Sequence, residues 1–275
     1  MSNIRKRHIK NINYKNRPKK SIFKMPIFWW SLLVLILAIT ALYFLLFCPK
    51  FQIQNIIILG NEKINSQDLQ RISENSINKK IINLGFWSLS SKSIFLASIN
   101  DIKNQIFNFS PTIKAIDITK TYPQNLNIQV QERKRFAIFC QNEKCFDIDD
   151  TGIIFEELSS ISEDKFIVRQ ELDVENAYLG KEAVLKKTME KIIEIKKNFA
   201  DNLQISLLEV TISTPIRLNA KTREGWQAFF DIAEGSNISL QLTKLNLLLK
   251  DEISLENRQK LEYIDLRFED RAYYK

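Results

Sequence analysis

From Ile27 to Phe47 the chain reads IFWWSLLVLILAITALYFLLF, 21 residues without a charge, a glycine or a proline. As a helix it would extend about 31 Å at roughly 1.5 Å per residue, the thickness of a hydrocarbon core of about 30 Å. Apolar side chains lie all round it rather than in a stripe, so no single face would dock on a soluble core. Trp29, Trp30 and Tyr43 sit near its ends, where amphipathic rings favour the headgroup layer. A cleaved signal peptide needs a shorter apolar run, of about 7–15 residues, and a small-x-small cleavage site. Leu45-Leu46-Phe47-Cys48-Pro49 supplies neither, and bulky Phe47 also disfavours a lipidated Cys48. The segment is expected to be an uncleaved membrane span, within residues 26–48.

Charge then orients the span. The net charge of +8 invites a search for a polyanionic partner, but nine basic residues lie between positions 1 and 24: Arg5, Lys6, Arg7, Lys10, Lys15, Arg17, Lys19, Lys20 and Lys24. No acidic residue precedes Glu62, and removing those nine from the 40 Lys and Arg leaves 31 against 32 Asp and Glu. The rest of the chain is therefore nearly neutral. Basic flanks stay in the cytoplasm, so residues 1–25 are expected to be a cytoplasmic arm and everything after Cys48 to lie outside.

The cysteines add one possibility. Cys140 and Cys145 bracket QNEK between FAIF and FDID, a hairpin pattern. Residues facing each other across such a turn have Cα atoms about 5.5 Å apart or less, within disulfide range, and an oxidising exterior would permit the bond. Two unlinked thiols at strand ends are the alternative. With no histidine nearby, the pair is not a zinc site.

Along the outer part, FQIQNIIILGN reads as a strand ended by the turn residues Gly60 and Asn61. Ser66 stands where it could cap a short helix over QDLQRISEN, and Leu84, Phe86 and Trp87 make an unusually apolar loop expected to tuck back onto the fold. Phe95, Ile99, Ile102 and Ile106 recur at amphipathic-helix spacing. Ile116 and Ile118 alternate with polar residues, a TYPQN turn follows, and Leu126, Ile128 and Val130 alternate again, the pattern of a half-buried antiparallel pair. The order over residues 51–132 is β-α-α-β-β, with helices packed on one face of a three-stranded sheet.

Farther on, DIDDTGIIF predicts a tight turn in which Asp150 bonds the backbone two residues on and Gly152 takes positive φ. Leu185, Met189, Ile192, Ile195 and Phe199 fall on one helical face. Strands at LLEVTI, PIRLNA and WQAFFDI precede a second helical repeat, Ile238, Leu242, Leu245 and Leu249, and LEYIDLRF ends the pattern as a terminal strand. The fold class is α+β: one N-terminal transmembrane helix, a β-α-α-β-β domain, then a β-rich domain with packed helices over residues 133–268, and a tail over 269–275.

GNEKINSQDL, NLGFWSL, the helix after it and IKAIDITKTYPQNLNIQVQERKRFAIF together resemble a POTRA domain of the FtsQ/DivIB family of bacterial division proteins. The family's GN after the first strand, its P-x-x-L and its V-x-E-R have counterparts at Gly60-Asn61, at Pro123 to Leu126 and at Val130 to Arg133. The DTG hairpin and the D-L-R-aromatic run at Asp265 to Phe268 are similar to the family's second domain. The resemblance implies a scaffold of the cell-division machinery in the cell inner membrane, single-pass with its bulk periplasmic, that gathers FtsB- and FtsL-type partners at the septum. It also implies that FtsB docks on the terminal strand, with Asp265, Arg267 and Phe268 as the matched positions. An open sheet edge suits that role, and no element is expected after the strand to cover it.

Catalysis lacks parts. The single histidine is His8, in the arm, so no outer triad or histidine metal ligand can be assembled. Asp149 with Asp150, and Glu156 with Glu157, are adjacent pairs whose members point to opposite faces on a strand. No phosphate-binding glycine motif occurs, and no cofactor or small-molecule substrate is expected. Two other readings compete. A POTRA-bearing transporter would need a series of roughly ten-residue alternating barrel strands, which does not follow. A membrane-tethered regulator whose basic arm binds nucleic acid or anionic lipid would show strongly salt-dependent binding by the arm alone.

Overall fold

A computed structural model describes residues 26–83, 88–141, 144–160, 164–171 and 177–275. The arm lies outside these residues, and with it Arg5, Lys6, Arg7, Lys10, Lys15, Arg17, Lys19, Lys20 and Lys24; so do Leu84, Phe86 and Trp87. Helix α1 runs over Pro26–Phe47 with no buried residue. It is long and apolar enough to cross a membrane.

A first apolar core follows, built from β1 (Asn55–Leu59), α2 (Ser66–Ile77), a two-stranded ribbon of β2 (Lys79–Asn83) and β3 (Ser88–Ser91), α3 (Ile99–Phe109), β4 (Ile113–Thr121) and β5 (Asn125–Glu132). Its sheet has the order β1-β5-β4, β1 parallel and β4 antiparallel to β5. The alternation along β5 buries Leu126, Ile128 and Val130 against Leu69, Ile102 and Ile106 of the helices. Each such burial contributes about 1.5–3 kcal/mol relative to exposure. Gly60 explains the GN signal: its φ is +82°, and a Cβ there would meet the Val130 carbonyl oxygen at 2.3 Å.

Two local expectations shift by a residue or more. Asn65, not Ser66, caps α2, its side-chain oxygen accepting from the Gln67 amide at 2.9 Å. Phe95 precedes α3, which Ser98 caps, and stays half exposed.

The second core is a nine-stranded sheet in the order β14-β13-β12-β11-β10-β9-β6-β7-β8. Its strands are β6 (Ala137–Gln141), β7 (Lys144–Ile148), β8 (Ile154–Leu158), β9 (Ile167–Gln170), β10 (Leu207–Thr214), β11 (Arg217–Thr222), β12 (Gln227–Asp231), β13 (Tyr263–Asp265) and β14 (Tyr273–Tyr274). Helices α4 (Lys186–Asp201) and α5 (Ile238–Leu247) carry its apolar cover, and a π-helical turn (Leu248–Glu252) and α6 (Leu255–Arg258) lead from α5 to β13. Met189, Ile192, Ile195 and Phe199 of α4 are fully buried, with Phe199 against Trp226. Leu185 stands outside this stripe, at the helix N-cap and 68% exposed. Ile238, Leu242, Leu245 and Leu249 are all buried.

The DTG turn uses a different aspartate from the one expected. Asp149 accepts from the Thr151 amide (2.9 Å), the Thr151 hydroxyl (2.7 Å) and the Ile153 amide (3.1 Å). Asp150 points outward to Lys114 instead. Gly152 has φ +85°, as expected, and lies so close to the Val184 carbonyl that a Cβ would stand 2.2 Å from its oxygen. Cys140 and Cys145 are directly opposed on β6 and β7, with Cα atoms 4.2 Å apart and the sulfurs bonded.

Candidate partner-binding edge

The C-terminal end of the large sheet differs from the sequence expectation. Strand β13 spans only Tyr263–Asp265 and is not an edge: it pairs in parallel with β12 on one side and antiparallel with β14 on the other. The strand stops early because the Asp265 carboxylate turns the chain. It accepts from the Arg267 amide (3.2 Å) and from the Arg267 Nε (2.8 Å) and second guanidinium nitrogen (2.5 Å). Arg267 and Phe268 therefore lie beyond the strand. The tail then returns, and the β-prone pair Tyr273-Tyr274 takes the place beside β13 that was expected to be open. Lys275 completes the ladder, its amide donating to Tyr263 and its carbonyl accepting from Glu262 and Tyr263.

One side chain holds the returning loop. Nζ of Lys244, on α5, reaches the carbonyls of Leu266 (3.2 Å), Phe268, Glu269 (3.4 Å) and Arg271 (3.5 Å). Burial lowers the Lys244 pKa, outweighing the opposing pull of Asp270 and Glu269. On the neighbouring sheet face Tyr263 stacks on Phe229 with centroids 5.6 Å apart, and the Arg217 guanidinium lies 4.7 Å from the same ring. The outermost surface is aromatic: Phe268, Tyr273 and Tyr274 are each about half exposed, and Phe268 meets Tyr273 edge-on at 5.0 Å.

Of the three matched positions, then, Asp265 is buried and engaged by Arg267, Arg267 is engaged by Asp265, and only Phe268 presents a free apolar surface. Burial would raise the Asp265 pKa, but the hydrogen bonds and charge of Arg267 outweigh it and hold the carboxyl below its ordinary range. Lys244, Tyr273 and Tyr274 complete the edge and were not singled out from sequence. The signal available for the tyrosines was their β propensity; Lys244 gave none, being one lysine among many on helix surfaces.

The large sheet is coupled to the first core at its other end, by a joint centred on Glu132 and Arg133. Glu132 is 8% exposed and accepts the amides of Glu62, Lys63 and Ile64 at 2.9–3.1 Å, which gives the V-x-E-R signal its physical meaning. Burial raises its pKa, and those three amides pull it back below the ordinary carboxylate range. The next residue, Arg133, donates from Nε to the Pro111 carbonyl at 3.0 Å and from its guanidinium to Asp149 of the second core. Asp149 is buried, at 1% side-chain exposure, and Arg133 is partly buried, at 12%. Lys63 with Glu156 and Lys114 with Asp150 bridge the same boundary at the surface.

Trp29, Trp30 and Tyr43 are 60–69% exposed on α1. Among the described residues no group of three or more His, Cys, Asp or Glu side chains is placed to hold a metal ion.

Comparison with known proteins agrees with this architecture. Residues 87–133 match the family model described as POTRA domain, FtsQ-type. The chain is 24% identical over 269 residues, 96% of its length and 93% of the relative's, to Cell division protein DivIB of Clostridium botulinum strain Hall. It is 24% identical over 266 residues, with the same coverage, to the DivIB of Clostridium botulinum strain Loch Maree. It is also 23% identical over 213 residues, 76% of its length and 68% of the relative's, to the DivIB of Clostridium tetani strain Massachusetts. An FtsQ-type POTRA match, an N-terminal apolar helix and a β-rich C-terminal region thus accompany similarity to DivIB proteins along nearly the whole chain.

Proposed function

We propose that the chain is a single-pass scaffold of the bacterial divisome. Its basic arm stays in the cytoplasm, α1 crosses the inner membrane, and the two outer cores, read as a POTRA domain over 51–132 and an FtsQ-type β domain over 133–268, gather FtsB- and FtsL-type partners at the septum. It holds partners and turns over no substrate. The observation that carries this reading is the similarity to DivIB proteins over 96% of the chain.

The C-terminal end of the large sheet supplies the contact surface. A partner strand adds to the outer side of β14, and Phe268, Tyr273 and Tyr274 give its side chains apolar seats. Asp265 and Arg267 are positioning residues that set where β13 ends and how Phe268 is presented. The test is capture of an FtsB–FtsL-type pair from the same organism by the full-length chain in detergent. Wild type is expected to retain the pair, and Phe268→Glu combined with Tyr273→Glu to lose at least tenfold in affinity, about 1.4 kcal/mol, the effect of removing one or two apolar anchors. Unchanged retention by the double variant would refute the site. Depletion of the protein without division arrest would refute the function.

A further inference from the structure

We infer that the first core rests on the membrane through an aromatic and basic patch, formed by Phe51, Phe95 and Tyr122 with Lys50 and Lys92, that seats in the headgroup layer of the leaflet where α1 ends. The inference depends on reading α1 as a membrane span.

The last carbonyls of a helix have no partner within it. Here the first core supplies them: Gln52 Nε2 donates to the Leu46 carbonyl at 2.6 Å, the Ser91 hydroxyl donates to the same oxygen at 2.5 Å, and the Ser93 hydroxyl donates to Leu45 at 2.9 Å. Gln52 is itself fixed, its Oε1 accepting from the Lys92 amide at 2.8 Å. Phe51 and Ile94 are bonded backbone to backbone at 2.9 Å, and the Gln124 side chain reaches the Pro49 carbonyl at 3.4 Å. Gln52 and the Ser91–Ser93 segment are thus tied to the helix end itself, and Gln124 to the turn that follows it.

That tie fixes a height. The 22 residues of α1 extend about 33 Å against a hydrocarbon core of about 30 Å, so whatever is bonded to Leu45 and Leu46 lies at the boundary. Phe51, Phe95 and Tyr122 form a continuous run of rings there, with centroids 5.5 and 5.6 Å apart. Phe95 is 47% exposed and Tyr122 59% exposed, large apolar surfaces that water alone does not explain. Aromatic rings with a polar tip favour the headgroup layer, and flanking lysines reach anionic phosphates. Lys50, which precedes Phe51 in the chain, and Lys92, three residues before Phe95, are both exposed. A surface hydrogen-bonded to the end of a membrane span meets that membrane before any other partner.

Full-length protein in nanodiscs of phosphatidylcholine and phosphatidylglycerol tests this, in a Cys48→Ser background with the Cys140–Cys145 bond intact. Nitroxide labels are placed singly at Phe95→Cys, Tyr122→Cys, Leu37→Cys in mid-span and Leu255→Cys on the second core. Collision with a water-soluble nickel chelate is expected to be at least about fivefold slower at 95 and 122 than at 255, with collision with oxygen retained, as for groups in the headgroup layer. Equal chelate access at 95, 122 and 255, with 37 still shielded, overturns the patch and leaves the span standing. Chelate access at 37 as well overturns the span, and the patch with it.

Discussion

Replacing Lys244 by methionine removes the helix α5 side chain that bonds the C-terminal return. Nζ carries three protons and lies within reach of four carbonyl oxygens, of which Leu266 at 3.2 Å and Phe268 are the nearer pair. A hydrogen bond from a charged donor contributes about 1.5–3 kcal/mol when water is excluded, and less at exposed carbonyls such as those of Phe268 and Glu269. Two such bonds, discounted for exposure, amount to about 2 kcal/mol. Methionine keeps the apolar stem, so the loss falls on the loop and not on the α5 core. A change of that size multiplies the population with β14 undocked roughly 30-fold, since about 1.4 kcal/mol is a factor of ten, and amide exchange through local opening follows in proportion. The amides to watch are Tyr263 and Lys275, which are bonded across β13 and β14, and the assay is hydrogen–deuterium exchange by mass spectrometry on C-terminal peptides. Exchange in residues 262–275 is expected to accelerate while peptides of β10 and β11 stay protected. Acceleration below about threefold, or equal acceleration throughout the sheet as in global opening, would refute the role assigned to Lys244.

Three further outcomes concern the joint, the DTG turn and the Asp265 corner. Gly152→Ala is expected to destabilise the second core by at least about 2 kcal/mol, through positive φ and a clash with the Val184 carbonyl, and a thermal melt within error of wild type would contradict this. Arg133→Met strands the buried Asp149 carboxylate, at an expected loss of about 3 kcal/mol, read as a lower urea midpoint with Arg133→Lys recovering part of it. Glu132, Asp149 and Asp265 all have pKa values held below the ordinary range, in each case despite burial. Their stabilisation is fully present above the unfolded value of about 4 and is lost as pH falls through the lower folded values, so a urea midpoint that stayed constant from pH 6 to pH 3 would count against it.

Helix α1 was legible from its unbroken apolar length, and the β-α-α-β-β order, into which the β2–β3 ribbon is inserted, and the amphipathic helices from a periodicity that burial enforces: Leu126, Ile128 and Val130 have a single face on which to hide. Where the reading slipped, side chains were competing for the same backbone groups. Asn65 and Ser66 are both good caps, as Asp149 and Asp150 are both good turn residues, and in the second pair each is engaged by a residue distant in sequence, Asp149 by Arg133 and Asp150 by Lys114. The return of Tyr273 and Tyr274 was illegible for a similar reason. A two-residue strand has no period, and its pairing is fixed by an edge and a lysine that the chain brings together only when folded.

The strand order of the large sheet also sets a length. The joint with the first core is made beside β7 and β8, through Asp149 and Glu156, whereas β14 is at the opposite end, eight strand spacings from β8. At about 4.8 Å per spacing the separation measured along the sheet is roughly 38 Å. The sheet is thus a ruler: anything seated on β14 is carried a set distance, along the sheet, from the domain joined at β7 and β8.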